Sequence, residues 1–251
     1  MRNLAFTKMQ GLGNDFLVLD GPIELSAVEI SELCDRRLGI GADGVLVVSR
    51  ADSIRMDYWN ADGSPAPMCG NGLRCVARYA YDKGWAMDRN YPIQTAIGVR
   101  GVKVLDDAVE AEIGRVEVTG HTEIDGSRYH LIDVGNPHAV VVVDDPNSTD
   151  VATIGPRVET DPQFEGGTNV EFASFKDGRV EMRVWERGVG ETPACGTGMV
   201  AAAFVATKTD GFDGPIVVET RGGEGRVEFR DGVAWLRGPA EYVFRGNVGE
   251  R

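Results

Sequence analysis

Histidine and cysteine are scarce in this chain, and the surplus of positive charge that would hold phosphate is missing. There are three histidines (His121, His130, His138) and no Cys-x-x-Cys, so a zinc site is not expected. Four cysteines (Cys34, Cys69, Cys75, Cys195) are too few to staple 251 residues with disulfides. Lys and Arg number 26 against 39 Asp and Glu, a formal charge of -13. Nucleic acid and anionic lipid are therefore poor partners. No stretch reaches 18 uncharged apolar residues, so no membrane helix is expected. Met1 to Gln10 carries Arg2 and Lys8 around Leu4-Ala5-Phe6 and lacks the apolar run of a signal peptide. A reduced cytoplasmic setting with free thiols follows as the expectation. No Gly-Lys-Ser/Thr follows a glycine-rich turn, Gly11-x-Gly13 and Gly39-x-Gly41 are too short for a dinucleotide fingerprint, and no pyridoxal-type lysine stands out. No cofactor is expected.

What is present is a series of short β-rich runs: Phe16 to Leu19, Gly44 to Val48, Ala139 to Val143, Ile216 to Glu219 and Arg226 to Phe229. Helical windows are fewer. Ser26 reads as the N-cap of a helix over Ala27 to Asp35. A second runs from Gly70 to Asp82 and stops at Lys83-Gly84, and a third from Gly196 to Thr209 stops near Asp210-Gly211. Strands dominate, with a few helices, which is an α+β composition.

Sliding the sequence over itself shows a duplication. An offset of 126 sets Ile54 on Val180, and without a gap it sets Met56 on Met182, Trp59 on Trp185, Pro67 on Pro193, Cys69 on Cys195, Gly70 on Gly196 and Gly72 on Gly198. Tryptophan and cysteine number four each, so their joint register argues against coincidence. An offset of 122 sets Gly13-Asn14 on Gly135-Asn136. Each half is expected to be a strand-rich lobe around one central helix.

Cys69 and Cys195 each sit after a turn and at a glycine-flanked helix start. The first N–H groups of a helix have no intrahelical partner and face an anion, aided by the helix dipole. That dipole also favours a thiolate. Each half thus supplies a thiol able to exchange a proton and donors for a carboxylate. Two such thiols suit inversion of a stereocentre next to a carboxylate: one removes the α-proton and the other returns a proton to the opposite face. Cys34 and Cys75 read as inert buried thiols. A disulfide between Cys69 and Cys195, a thiol redox protein and a non-catalytic binding module remain alternatives at this point.

The chain resembles the diaminopimelate epimerase family along nearly its whole length. The motifs that carry the resemblance are Lys8 to Phe16, Gly39 to Gly44, Asn60 to Ser64, Cys69-Gly70-Asn71-Gly72-x-Arg74-Cys75, Gly135-Asn136-Pro137-His138, Asn169, Glu186-Arg187-Gly188 and Ala194 to Gly198. The resemblance implies two pseudo-symmetric lobes, each a curled, barrel-like β-sheet around a central α-helix, with the site in the cleft between them. The lobes expected are 1–112, rejoined by a C-terminal strand over 242–251, and 113–241. It implies interconversion of LL- and meso-diaminopimelate, without cofactor or metal, on the route to lysine and peptidoglycan. Cys69 and Cys195 would be the acid/base pair, with His138 and Glu186 helping to set thiol protonation. Gly70, Asn71, Gly196 and Thr197 would give N–H donors to the reacting carboxylate. Arg187 suits the distant carboxylate and Glu186 an ammonium. Asn14, Asn60, Asn136 and Asn169 fit a zwitterion because an amide donates and accepts at once. Family habit implies a homodimer. A racemase of another amino acid is the rival within this class. Pro193, paralleling Pro67, reads as stiffening its turn, and Gly120 to Tyr129 as a trimmed surface connection.

Overall fold

The computed structural model describes residues 4–249. The chain divides into two compact units, Met1–Ala111 with Gly238–Arg251, and Glu112–Arg237.

In the first unit β1 (Leu4–Gly11) and β2 (Asn14–Asp20) form a hairpin across Leu12-Gly13, both at positive φ. Helix α1 (Ala27–Cys34) opens on Ser26, whose hydroxyl accepts from the Glu29 N–H while Glu29 reaches back to the Ser26 backbone. Then come β3 (Gly44–Arg50), β4 (Ile54–Asn60), the short β5 (Pro65–Ala66), α2 (Gly70–Asp82), β6 (Asn90–Thr95), β7 (Gly98–Val104) and β8 (Val109–Arg115), which crosses into the second unit. Strand β3 runs parallel to β2 and antiparallel to β4. The continuous apolar runs of β2 and β3 follow from burial on both faces. Leu17, Leu19, Val45 and Val47 pack with Ile30 and Leu33 of α1. The alternate residues face α2, as the approach of Leu46 to Gly72 records. Strands β1, β2, β3, β4 and β7 all touch α2, so the sheet curls around that helix.

The second unit repeats the order. It contains β9 (Glu117–Ile124), β10 (Ser127–Asp133), β11 (Pro137–Val142), a 3-10 turn over Pro146–Ser148, α3 (Val151–Glu159), β12 (Asn169–Lys176), β13 (Arg179–Glu186), β14 (Gly190–Thr192), α4 (Gly196–Thr209), β15 (Ile216–Thr220), β16 (Gly223–Arg230) and β17 (Val233–Gly238). Strand β12 is parallel to β11 and antiparallel to β13, as β3 is to β2 and β4. Val151 and Val158 of α3 pack on Ala139, Val141, Val170 and Phe172. Strands β10 to β13, β15 and β16 touch α4. The last strand among the described residues, β18 (Glu241–Val248), lies in the first unit antiparallel to β1.

The three expected helices occur, and the chain is α+β. Two features differ from expectation. Gly120 to Tyr129 is a β-hairpin and no mere connection: Ile124 pairs with Ser127 across Asp125-Gly126, both at positive φ. The same Asp-Gly turn closes β12 onto β13 and β16 onto β17. Asp-Gly between strands suits the primed turns that match strand twist, so the signal was present in the residues. Helix α3 was not anticipated because Gly155 and Pro156 lie inside it. Its cap is legible, however: the Asp150 side chain accepts from the Thr153 N–H.

Candidate active site

Each unit places a cysteine at the start of its central helix. In the first, Cys69 is the N-cap of α2, with extended backbone (φ -141, ψ 120), and its sulfur accepts from the Gly72 N–H at 3.5 Å. The sulfur lies 3.6 Å from Asn14 Oδ1. Asn71 Nδ2 donates to the same oxygen at 3.2 Å, while Asn14 Nδ2 donates to Asp43 Oδ2 at 2.7 Å. Gly72 brings the turn close to β3, since a Cβ on it would lie 3.1 Å from Leu46 Cδ2. Asn14, Asn71 and Cys69 are thus joined in one network. Asn60, at the end of β4, bonds instead to Ser64 at 3.1 Å.

In the second, Cys195 is the N-cap of α4 (φ -116, ψ 119) and is buried. Its sulfur lies 3.4 Å from Thr197 Oγ1, which accepts from Asn136 Nδ2 at 3.3 Å. Asn136 Oδ1 is 3.1 Å from His138 Nε2, and His138 Nδ1 is 2.7 Å from Glu171 Oε1. Glu186 is held by the Thr192 hydroxyl and by Cys195. Burial pushes the Glu186 carboxyl above its ordinary value, against those two hydrogen bonds. Burial first, then the charges of Glu186 and Glu171, raise the Cys195 thiol well above a free cysteine.

Asn169 stands opposite His138 in the β11–β12 register. Its Nδ2 donates to the Pro137 carbonyl at 2.9 Å and its Oδ1 accepts the Arg187 N–H at 3.0 Å. Arg187 is exposed, and its guanidinium makes no hydrogen bond or ion pair among the described residues. The aliphatic part of Arg187 passes Gly167, where a Cβ would come within 3.3 Å. Glu159, at the end of α3, accepts from the Trp185 indole and the Gly188 N–H, both at 2.6 Å, and so shapes the turn that carries Glu186 and Arg187.

Sequence reasoning missed Glu171 and Glu159 and gave Arg74 no task. Glu171 lies inside an apolar strand, two residues from Asn169. A fully buried carboxylate there signals function only when its histidine partner is seen. All four cysteines are free thiols. Burial pushes Cys34 up to about 11 and Cys75 up to about 12, consistent with inert core positions. Among the described residues, no three His, Cys, Asp or Glu side chains are grouped to hold a metal, and no helix is long and apolar enough to cross a membrane.

A sequence model described as diaminopimelate epimerase matches the chain twice, over residues 6–119 and 130–243. Curated diaminopimelate epimerases resemble it end to end. That of Leptospira biflexa is 38% identical, covering 98% of this chain and 99% of the relative. That of Laribacter hongkongensis is 39% identical with the same coverage. Among solved structures, a phenazine biosynthesis protein of the PhzF family from Bacillus anthracis superposes with a TM-score of 0.74 at 16% identity, covering 99% of both chains. A hydroxyproline epimerase from Agrobacterium vitis gives 0.68 at 17% identity, covering 99% of this chain and 91% of the other. These distant structures share the fold.

Proposed function

Because the chain belongs to the diaminopimelate epimerase family, we propose that it interconverts LL- and meso-diaminopimelate by two-base proton transfer at the α-carbon, an isomerase step in lysine and peptidoglycan precursor synthesis. The observation that carries this reading is the matched pair of cysteine N-caps, Cys69 on α2 and Cys195 on α4, at equivalent positions of the duplication.

A carbanion next to a carboxylate is a costly intermediate, and fixed donors lower its energy as charge moves onto the carboxylate oxygens. The N–H groups at Gly70, Asn71, Gly196 and Thr197 are the first of their helices and are assigned that task. Cys69 and Cys195 exchange roles with direction: one removes the α-proton and the other protonates the opposite face. A single base would have to wait for the intermediate to turn over. Glu186, in contact with Cys195, and His138, linked to it through Asn136 and Thr197, supply and accept the proton on that side. The free guanidinium of Arg187 is assigned the distant carboxylate, which it can grip through two parallel hydrogen bonds. Asn14, Asn60, Asn136 and Asn169 are assigned the remaining polar groups of the substrate. The scheme needs no cofactor. A cytoplasmic location and a homodimer complete the reading; the exposed Tyr242, Val243 and Phe244 of β18 support self-association.

The test is incubation with LL-diaminopimelate in heavy water. Inversion with deuterium on the α-carbon is expected, and neither event occurring would remove the assignment. Comparable turnover of proline or of monocarboxylate amino acids would favour a racemase instead.

A further inference from the structure

Arg74 is the largest fully buried side chain among the described residues. Its guanidinium donates to three uncharged oxygens: Nε to the Pro239 carbonyl at 3.2 Å, Nη1 to the Gly70 carbonyl at 3.5 Å and Nη2 to Asn71 Oδ1 at 2.8 Å. No carboxylate among the described residues pairs with it. Two glycines make its space: a Cβ on Gly11 would lie 3.0 Å from Nη2, and one on Gly238 3.2 Å from Cζ.

A guanidinium stays charged in a protein, and a buried charge without a counter-ion is costly. Such a cation fits a place where an anion comes and goes. Burial lowers the Arg74 pKa, and the groups acting in the other direction are the Cys75 and Cys69 thiols. Cys75 is fully buried and pushed up to about 12, so it stays protonated. Cys69 is the sulfur that remains.

We propose that Arg74 is a positioning residue for Cys69, supplying the buried counter-charge that lets this thiol rest as a thiolate and holding the amides that face it. This rests on the reading of Cys69 as an acid/base thiol. The amide orientations are set from both ends. Arg74 only donates, so the Asn71 atom it meets is Oδ1; the Asp43 carboxylate only accepts, so the Asn14 atom it meets is Nδ2. Asn71 Nδ2 then meets Asn14 Oδ1. The Cys69 sulfur therefore has a carbonyl acceptor when protonated and the Gly72 N–H donor when ionised. The duplicated halves differ here. At the offset of 126 Arg74 falls on Val200, and the thiol of that half, Cys195, has Glu186 and Glu171 as its charged neighbours. The buried charge beside Cys69 is cationic and that beside Cys195 anionic, which splits two equivalent thiols into a resting base and a resting acid.

The other charged groups on elements packed against α2 are mostly engaged. Lys8 on β1 pairs with Asp15 on β2, Arg36 with Asp43 and Asp15, Lys83 with Asp20, and Arg55 on β4 with Asp57. Gln10 donates to Glu241 on β18, while Arg100 and Lys103 lie on β7.

The test follows iodoacetamide alkylation of each thiol against pH, resolved by peptide mass spectrometry. In the wild-type enzyme Cys69 is expected to alkylate with a midpoint below the ordinary thiol value of about 8.5 and below that of Cys195. Arg74→Met should raise the Cys69 midpoint by about one pH unit, slowing its alkylation about tenfold at lower pH, and leave Cys195 unmoved. Arg74→Lys, which keeps a charge, should fall between. A wild-type midpoint at or above the ordinary value overturns the inference, whether or not the variants fold; so does an unshifted midpoint in folded Arg74→Met. Epimerisation by Cys69→Ser separates the two levels. If that variant remains active, the acid/base reading itself fails. If it is inactive while the midpoints fail to split as stated, only the role of Arg74 fails.

Discussion

His138 Nδ1 lies 2.7 Å from Glu171 Oε1, with both side chains fully buried. The other ring nitrogen, Nε2, meets Asn136 Oδ1, so the imidazole is held on both nitrogens. Through Asn136 and Thr197 this pair connects to the Cys195 sulfur. Glu171→Gln keeps the shape and removes the charge. Epimerisation is expected to fall about a hundredfold or more, as for the loss of a group that orients an acid/base. Chemical unfolding should lose no more than about 3 kcal/mol. Steady-state kinetics with a urea melt on the same sample checks both; full activity would release His138 from its assigned role.

Burial raises the Cys195 thiol first, and the charges of Glu186 and Glu171 raise it further. Removing a negative neighbour favours the thiolate, so Glu186→Gln should lower the Cys195 pKa. Its alkylation near neutral pH should rise roughly tenfold while turnover drops. Alkylation that slows or stays constant would mean that the carboxylate does not govern this thiol.

Arg187 contributes its backbone N–H to Asn169, but its guanidinium bonds to nothing among the described residues. Arg187→Met should therefore leave the melting temperature within about 1 °C, as for a surface substitution. It should lower kcat/KM for diaminopimelate by about 10- to 100-fold through loss of a charged hydrogen-bond pair. Unchanged kcat/KM would reassign the distant carboxylate.

Gly155 lies where α3 crosses Trp185, and a Cβ there would come within 2.6 Å of the indole. Alanine is the better helix former by about 1 kcal/mol, yet Gly155→Ala is expected to destabilise by about 1–3 kcal/mol because the indole must move. Trp185 precedes Glu186 and Arg187, so activity should fall with stability. A gain in denaturant midpoint would show that the contact relaxes freely.

Burial alone would raise the Asp15 carboxyl, but hydrogen bonds and charge from Arg36 and Lys8 hold it at about 2. A carboxyl held below its unfolded value stabilises the fold above that value and loses the contribution as protons return. The stabilisation, about 2 kcal/mol, should be present above pH 4 and fade toward pH 2. Asp15→Asn should be destabilised near neutral pH and show a flatter stability profile between pH 4 and pH 2, measured by urea titration. An identical profile for both proteins would assign acid sensitivity elsewhere.

Much of this molecule is written locally. The Ser26 and Asp150 caps, the Asp-Gly turns and the glycine-flanked cysteines act through neighbours within a few residues, so their geometry follows from the chain alone. The duplication was legible too, because rare residues kept register at one offset. Helix α3 was hidden by Pro156, whose cost to a helix is outweighed by burial of Val151 and Val158.

From its residues alone the chain determined its α+β character, its two cysteine N-caps and the motifs that place it in its family. Tertiary structure decided the charge around each thiol. Arg74 lies on α2, five residues after Cys69, and Glu171 on the strand β12; nothing local shows that the first is buried with no carboxylate partner among the described residues and that the second pairs with His138. Burial turns each into a strong influence, since a charge removed from water is screened only by the few groups packed against it.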